Sequence, residues 1–335
     1  MATSSAPTLE VTPSTAPIRT APAWHASRFG TIFRPDEHKT TAEMLDGAGL
    51  ARWNVRLEDI TLPEGYTSIA DSQLVVRDNP VTGDPEVLSV VGDRYKVVQN
   101  EALFDFGDAI LDGGADWESA GSFKSGKLVY GSLTVPKEFI LDPQGANDKT
   151  TTYLLVSSSH DGSSAVTASI TPVRVWCQNT LNLAIRTAKQ QFKIRHTQTV
   201  DGRLQTAREA LNLTFDFMDK FEIEARQMFE TTVTNDQFTK LVQGLYPEPD
   251  ATASKVAMTR YNDKFDTLQD LWLNSPTNAN ITGTAWGALN ALTERIDYYR
   301  DGRKGGEAII ASATGFDPVV NAEKNRIREA VLSLV

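Results

Sequence analysis

Thr171-Pro172-Val173-Arg174-Val175-Trp176-Cys177-Gln178-Asn179-Thr180 is the stretch on which the fold turns. A β-branched run stops there and a helical pattern begins, with an amide pair and a threonine at the junction. Upstream, apolar β-formers punctuated by turn residues predict strands. Residues 73–77 close on Asp78-Asn79-Pro80, and 87–91 close on Gly92-Asp93. A second set covers 119–123, 127–135, 152–158 and 165–171. Helical patterns interrupt them at 41–50 and, after a capping Asn100, at 101–111, the latter ended by Gly113-Gly114. Downstream, Leu181, Ala184, Ile185 and Ala188 form the apolar stripe of a helix over 177–189. Residues 192–199 alternate like a strand and equally fit a helical continuation. After Gly202 the pattern is helical to the end: 204–232, striped by Ala207, Leu211, Phe215, Met218, Phe221 and Ala225, then 235–245, 253–273, 284–299 and 322–334. Strands, a middle helix and an all-helical rear predict an α+β fold, not regular βαβ alternation.

Three regions follow. Residues 1–22, rich in Thr, Ser, Ala and Pro, read as a flexible arm. Residues 23–210 form the α+β core, with Trp24, Phe29 and Phe33 as its first anchors, and 211–335 form the helical C-terminal region. The 335 residues are 40% apolar and 23% charged, the balance of a globular protein. No apolar run of about 18 residues predicts a membrane span, and no basic start with an apolar block predicts a secretory leader. With Cys177 alone, an intrachain disulfide is excluded and a reducing, intracellular setting is expected.

The net charge of −10 argues against a surface that binds nucleic acid everywhere. The charge is uneven, however. Residues 1–150 hold 13 basic and 22 acidic side chains, 151–210 hold 7 and 3, and 211–335 hold 13 and 18, so only the middle segment is positive. Arg174, Arg186, Lys189, Lys193 and Arg195 lie in it. On a helix Arg186, Lys189 and Lys193 share one face, behind a junction whose helix start offers free amides to an anion. Such a cationic face holds a nucleic-acid backbone without reading bases. The plain alternative is a solvated helix face, with Trp176 and Cys177 in the core.

Enzyme signatures are missing. Gly121-Ser122-Phe123-Lys124-Ser125-Gly126-Lys127-Leu128 has phosphate-loop spacing, but Leu128 replaces the hydroxyl residue that holds magnesium and a strand follows where a helix is needed, so a hairpin turn is expected. His25, His38, His160 and His196 are too scattered for a zinc site. Ser157-Ser158-Ser159-His160-Asp161-Gly162-Ser163-Ser164 reads as a hairpin loop, since a catalytic triad is made by geometry and not by adjacency. His160 and Asp161, with Gln178 and Asn179, remain candidates for a ligand-contacting loop. No cofactor and no metal are expected, although scattered carboxylates leave a magnesium-dependent nuclease as an alternative. In the tail, Trp286, Asn290 and Tyr298 offer a partner surface, against the simpler reading that their helix docks on the front of the molecule.

Several motifs in order carry a resemblance: Trp24-His25 with Gly30-Thr31, Gly92-Asp93-Arg94-Tyr95-Lys96-Val97-Val98-Gln99-Asn100, Ser158-Ser159-His160-Asp161-Gly162-Ser163, residues 171–181, and Gly283-Thr284-Ala285-Trp286-Gly287-Ala288-Leu289-Asn290-Ala291. Over about 23–300 the chain resembles the phage and plasmid-like proteins of the domain of unknown function 932, with Tyr298-Tyr299-Arg300 where an aspartate-histidine ending is common. The resemblance implies a curved antiparallel sheet with a central helix across it, and a relation to single-strand annealing proteins of the Rad52 type. It further implies single-stranded DNA as partner, a homo-oligomeric ring or filament, no membrane, and the cytoplasm of a bacterial host. The expected function is nucleotide-independent DNA binding and strand annealing. Its main rival is a structural or protein-interaction module.

Overall fold

The structure, a computed structural model, describes residues 30–33, 39–61, 63–64, 71–105, 107–164, 166–175, 191–193, 200–250, 252–299 and 317–335. Along the chain these form β1 (Gly30–Ile32), α1 (Thr41–Gly47), β2 (Arg56–Asp59), β3 (Ser72–Asp78), β4 (Pro85–Gly92), α2 (Asn100–Leu103), α3 (Gly107–Leu111), β5 (Asp116–Phe123), β6 (Leu128–Leu141), β7 (Asp148–Ser159), β8 (Thr167–Arg174) and β9 (Gln191–Lys193). Helices follow: α4 (Val200–Glu230), α5 (Asn235–Leu245), α6 (Lys255–Leu273), α7 (Ala285–Tyr298) and α8 (Pro318–Leu332). The α+β class and the helical rear match the sequence expectation. The single helix expected over 101–111 is two short ones, and Asn100 is helical, its amide spent on Leu50 O instead of capping.

Two antiparallel sheets form, one ordered β1-β5-β6-β7-β8-β9 and one ordered β2-β3-β4. This corrects the expected curved sheet, since both are open and neither is closed or strongly curled. Curl needs bulges or kinks repeated from strand to strand. In the larger sheet register shifts occur only between Trp117 and Ser119 and between Val135 and Glu138, and the edge strands β1 and β9 are three residues each. The helix expected over 177–189 lies outside the described residues. The helix that packs against β6 and β8 is α4.

Alternation along the strands gives the larger sheet two unlike faces. Ala120, Gly131, Val156 and Ala168 lie in register on one, beside the row Trp117, Leu133, Leu154 and Ile170. This apolar face joins the buried core with Phe217, Met218, Phe221 and Ala225 of α4. Phe221 links the layers, its ring 5.9 Å from Phe139 on β6 and 6.0 Å from Trp286 on α7. Gly131 is required there: a Cβ would stand 2.8 Å from both the Phe104 and Trp117 rings. One apolar cluster therefore runs from Met44 through the sheet to Ile327 of α8.

α7 is buried from Ala285 through Asp297. Trp286 and Asn290 are enclosed and Tyr298 is half-buried, so this helix docks within the molecule. The smaller sheet meets the hairpin ends of the larger one. There Lys124, Ser125 and Gly126 all take positive φ, and the phosphate-loop-like stretch is the expected turn between β5 and β6. Gly126 combines that conformation with close approach, since a Cβ would come within 2.6 Å of the Arg77 guanidinium.

Candidate functional site

Asp148, the first residue of β7, is fully buried and accepts from three directions. Arg174 at the end of β8 gives it Nε at 2.8 and 3.0 Å and a second guanidinium nitrogen at 2.7 Å. Trp286 Nε1 donates to it at 2.7 Å and Asn280 Nδ2 at 3.1 Å. The remaining Arg174 donors reach Thr277 O at 2.6 Å, Asn278 Oδ1 at 3.2 Å and Asn280 Oδ1 at 2.7 Å. A buried ion pair holds when its remaining hydrogen-bonding capacity is met, as it is here. Arg174, expected to line a nucleic-acid groove, therefore presents no charge to solvent. The sheet geometry that pairs Thr150 with Arg174 draws it inward, where it locks the sheet to the loop before α7.

His160 is buried at the end of β7. Its Nε2 lies 2.9 Å from Asn100 Oδ1. Because Asn100 Nδ2 donates to Leu50 O, that Oδ1 is the acceptor and the imidazole carries its proton on Nε2. Burial first, and the Arg77 guanidinium second, push the imidazole pKa down to about 4 against the opposing charge of Asp161. Arg77 itself stands 4.0 Å over the Trp53 ring and pairs with Glu86. The loop thus holds a buried, neutral histidine. Asp161, partly exposed, accepts from Ser163 N at 2.9 Å; burial raises its pKa, but hydrogen bonds from Ser163 and Ser159 together outweigh it and lower the pKa overall. Gln178 and Asn179 lie outside the described residues.

Neutral burial of His160 has a signed consequence. Unfolded, the ring titrates near 6.5; folded, near 4. Its contribution is fully present above pH 6.5, falls as the pH drops and is lost below about 4. This is worth about 3 kcal/mol across the window. Urea unfolding at pH 7 and pH 4.5 checks it: the difference between wild type and His160→Gln should shrink on acidification, and an unchanged difference would refute the assignment.

The second face of the larger sheet is rich in hydroxyls. Ser119, Ser132, Leu155 and Ser169 form one row, Tyr130, Ser157 and Thr167 the next, and Thr134, Tyr153 and Thr171 a third. Most are buried, and among the described residues Ser132 Oγ has no hydrogen-bond partner. Burial, then the charge of Glu118, raise the Tyr153 pKa and keep its hydroxyl protonated. Strand β9 pairs at the edge of this sheet, with Lys193 in register with Thr167 and Gln191 with Ser169. The other basic candidates, Arg186, Lys189 and Arg195, lie outside the described residues. Alternating Ser and Thr suggest a solvent-facing surface in sequence, so this buried polar face had no signal there.

Among the described residues no three or more His, Cys, Asp or Glu converge as metal ligands, so the nuclease alternative gains no site there. Nor, among them, is any helix long and apolar enough to cross a membrane. Compared with known families, residues 87–325 match the model described as Domain of unknown function (DUF932). No curated protein and no solved structure matches the chain.

Proposed function

The chain belongs to the family described as Domain of unknown function (DUF932), and from that premise we propose that it binds single-stranded DNA and anneals complementary strands without a nucleotide cofactor. One observation carries the reading: β9 joins the chain's only positively balanced segment to the edge of the larger sheet, with Lys193 in register with Thr167 beside Ser157 and Tyr130. A cationic segment at the edge of the sheet supplies backbone attraction while leaving bases free to pair. Arg186, Lys189, Lys193 and Arg195 are the phosphate-contacting residues in this reading, and Arg174 is withdrawn from it. Resemblance adds a phage or plasmid setting in a bacterial cytoplasm, a Rad52-type mode of action, and assembly into a ring or filament.

Fluorescence anisotropy with a labelled oligo-dT strand over a salt series tests it. Wild type should bind tightly at low salt and weaken steeply as salt rises. Joint neutralisation of Arg186, Lys189 and Lys193 should lower the log–log salt slope by about 2, at about 0.7 per phosphate contact. Absence of binding at low salt by wild type and variant alike would defeat the proposal. A protein-interaction module is favoured by a different observation, Val87 and Val90 exposed at 60% and 57% on the edge strand β4. That reading predicts no DNA binding.

A further inference from the structure

We propose that the helical C-terminal region contains a binding site for a phosphate group, centred on Tyr246 and Arg295. Tyr246 follows α5 and is buried, its hydroxyl donating to Glu323 Oε1 at 2.7 Å. Three cations from three helices approach its ring: Lys264 of α6 with Nζ 4.5 Å from the centroid, Arg326 of α8 at 5.7 Å and Arg295 of α7 at 6.0 Å. They are graded in depth, with Arg326 exposed, Lys264 half-buried and Arg295 only 3% exposed.

Arg295 carries the inference. Among the described residues its Nε has no hydrogen-bond partner and its guanidinium has no ion pair. Other cations here are matched: Lys324 by Asp297, and Arg328 by Glu224. A buried guanidinium with unused donors is costly unless an anion occupies its fork. Tetrahedral phosphate, with oxygens pointing several ways, suits cations supplied by three helices better than a flat carboxylate does, and guanidinium binds it bidentately. Arg326 is exposed and Arg295 buried, so the proposed site runs from the surface inward. Free phosphate, a phosphomonoester and a nucleic-acid phosphodiester share this chemistry. The site uses none of the residues of the basic segment, so it does not depend on the DNA-binding reading.

The test is thermal unfolding of the full chain titrated with inorganic phosphate, at an ionic strength held constant with chloride. Wild type should show a saturable rise in Tm, as expected when a ligand binds only the folded state. Arg295→Met should abolish the rise. Arg326→Gln, at an exposed position that does not threaten folding, should weaken phosphate binding about tenfold through loss of one charge-assisted contact. No rise beyond the chloride control, or an equal rise in Arg326→Gln, would overturn the site. Neutralising Arg186, Lys189 and Lys193 should leave the phosphate response intact; its loss would place phosphate on the basic segment and overturn the proposal. Displacement of phosphate by oligo-dT would identify a phosphodiester as the source. Retention of phosphate against oligo-dT would identify a free phosphate or phosphomonoester, and the site stands in both cases.

Discussion

Asp148→Ala is expected to lower the stability of the protein by about 3–5 kcal/mol, the cost of leaving a buried charge without its counter-ion. The magnitude follows from what the substitution strands. Arg174 has zero exposure, so its guanidinium cannot turn to water, and Trp286 Nε1 loses its acceptor in the same step. Urea titration should show the midpoint falling with little change in slope, the signature of lost stability without a change of state. Arg174→Met should be destabilising for the mirror-image reason, with an unpaired carboxylate left among β7, Asn280 and Trp286. The double change Asp148→Leu with Arg174→Met removes both charges and should recover much of the loss, because an apolar pair of similar size avoids both desolvation penalties. If Asp148→Ala shifts stability by less than about 0.5 kcal/mol, the level of an ordinary surface substitution, the pair does not hold sheet and helices together.

Lys324→Met is the second large effect, again about 3–5 kcal/mol, but with a different distribution. Lys324 Nζ meets Asp297 Oδ1 at 2.7 Å, and their side chains are 0% and 1% exposed. The pair joins α8 to α7. Around it α8 is also tied through Arg328 to Glu224 on α4 and through Glu323 to Tyr246. Since α8 packs on α5 and α7, its release does not require the sheet to open. Hydrogen exchange should therefore accelerate in 318–332 while β6 and β7 keep their protection, as expected of a cooperative unit that opens by itself. Adding Asp297→Asn should return most of the protection to α8. Uniform acceleration across the sheet would show that α8 is no separate unit.

Most of the element order was legible because it depends on local pattern. The residues of α5 were read at their observed bounds, and Thr234 with Gln237 forms the reciprocal cap that such a start favours. β3, β4 and the turn at Lys124–Gly126 followed from β-branched runs and turn residues. The stripe on α4 was partly misjudged: Ala207, Met218, Phe221 and Ala225 are buried, whereas Leu211 and Phe215 are only half-buried, because Ala210, Phe217 and Met228 share the contact face. A sequence period gives the axis of a buried stripe but not its width, which the neighbours set.

The candidate sites were much less legible. Arg174 looked like one of a run of cations, and only the fold shows it facing an aspartate 26 residues earlier and an asparagine 106 residues later. His160 looked like part of a polar loop, yet its partner Asn100 is 60 residues away and the ring is closed in beside Trp53. Tyr246 carries no signal in the sequence, because the cations around it come from three separate helices. What the sequence alone determined is the class of fold, most of the order of its elements, turns such as that at Lys124–Gly126, and the uneven distribution of charge, all of them consequences of neighbours along the chain. Which charges are buried in pairs, which hydroxyls share a sheet face and which arginine is left unmatched were decided only by the tertiary structure. Burial and ion pairing depend on distances between residues that the chain sets far apart.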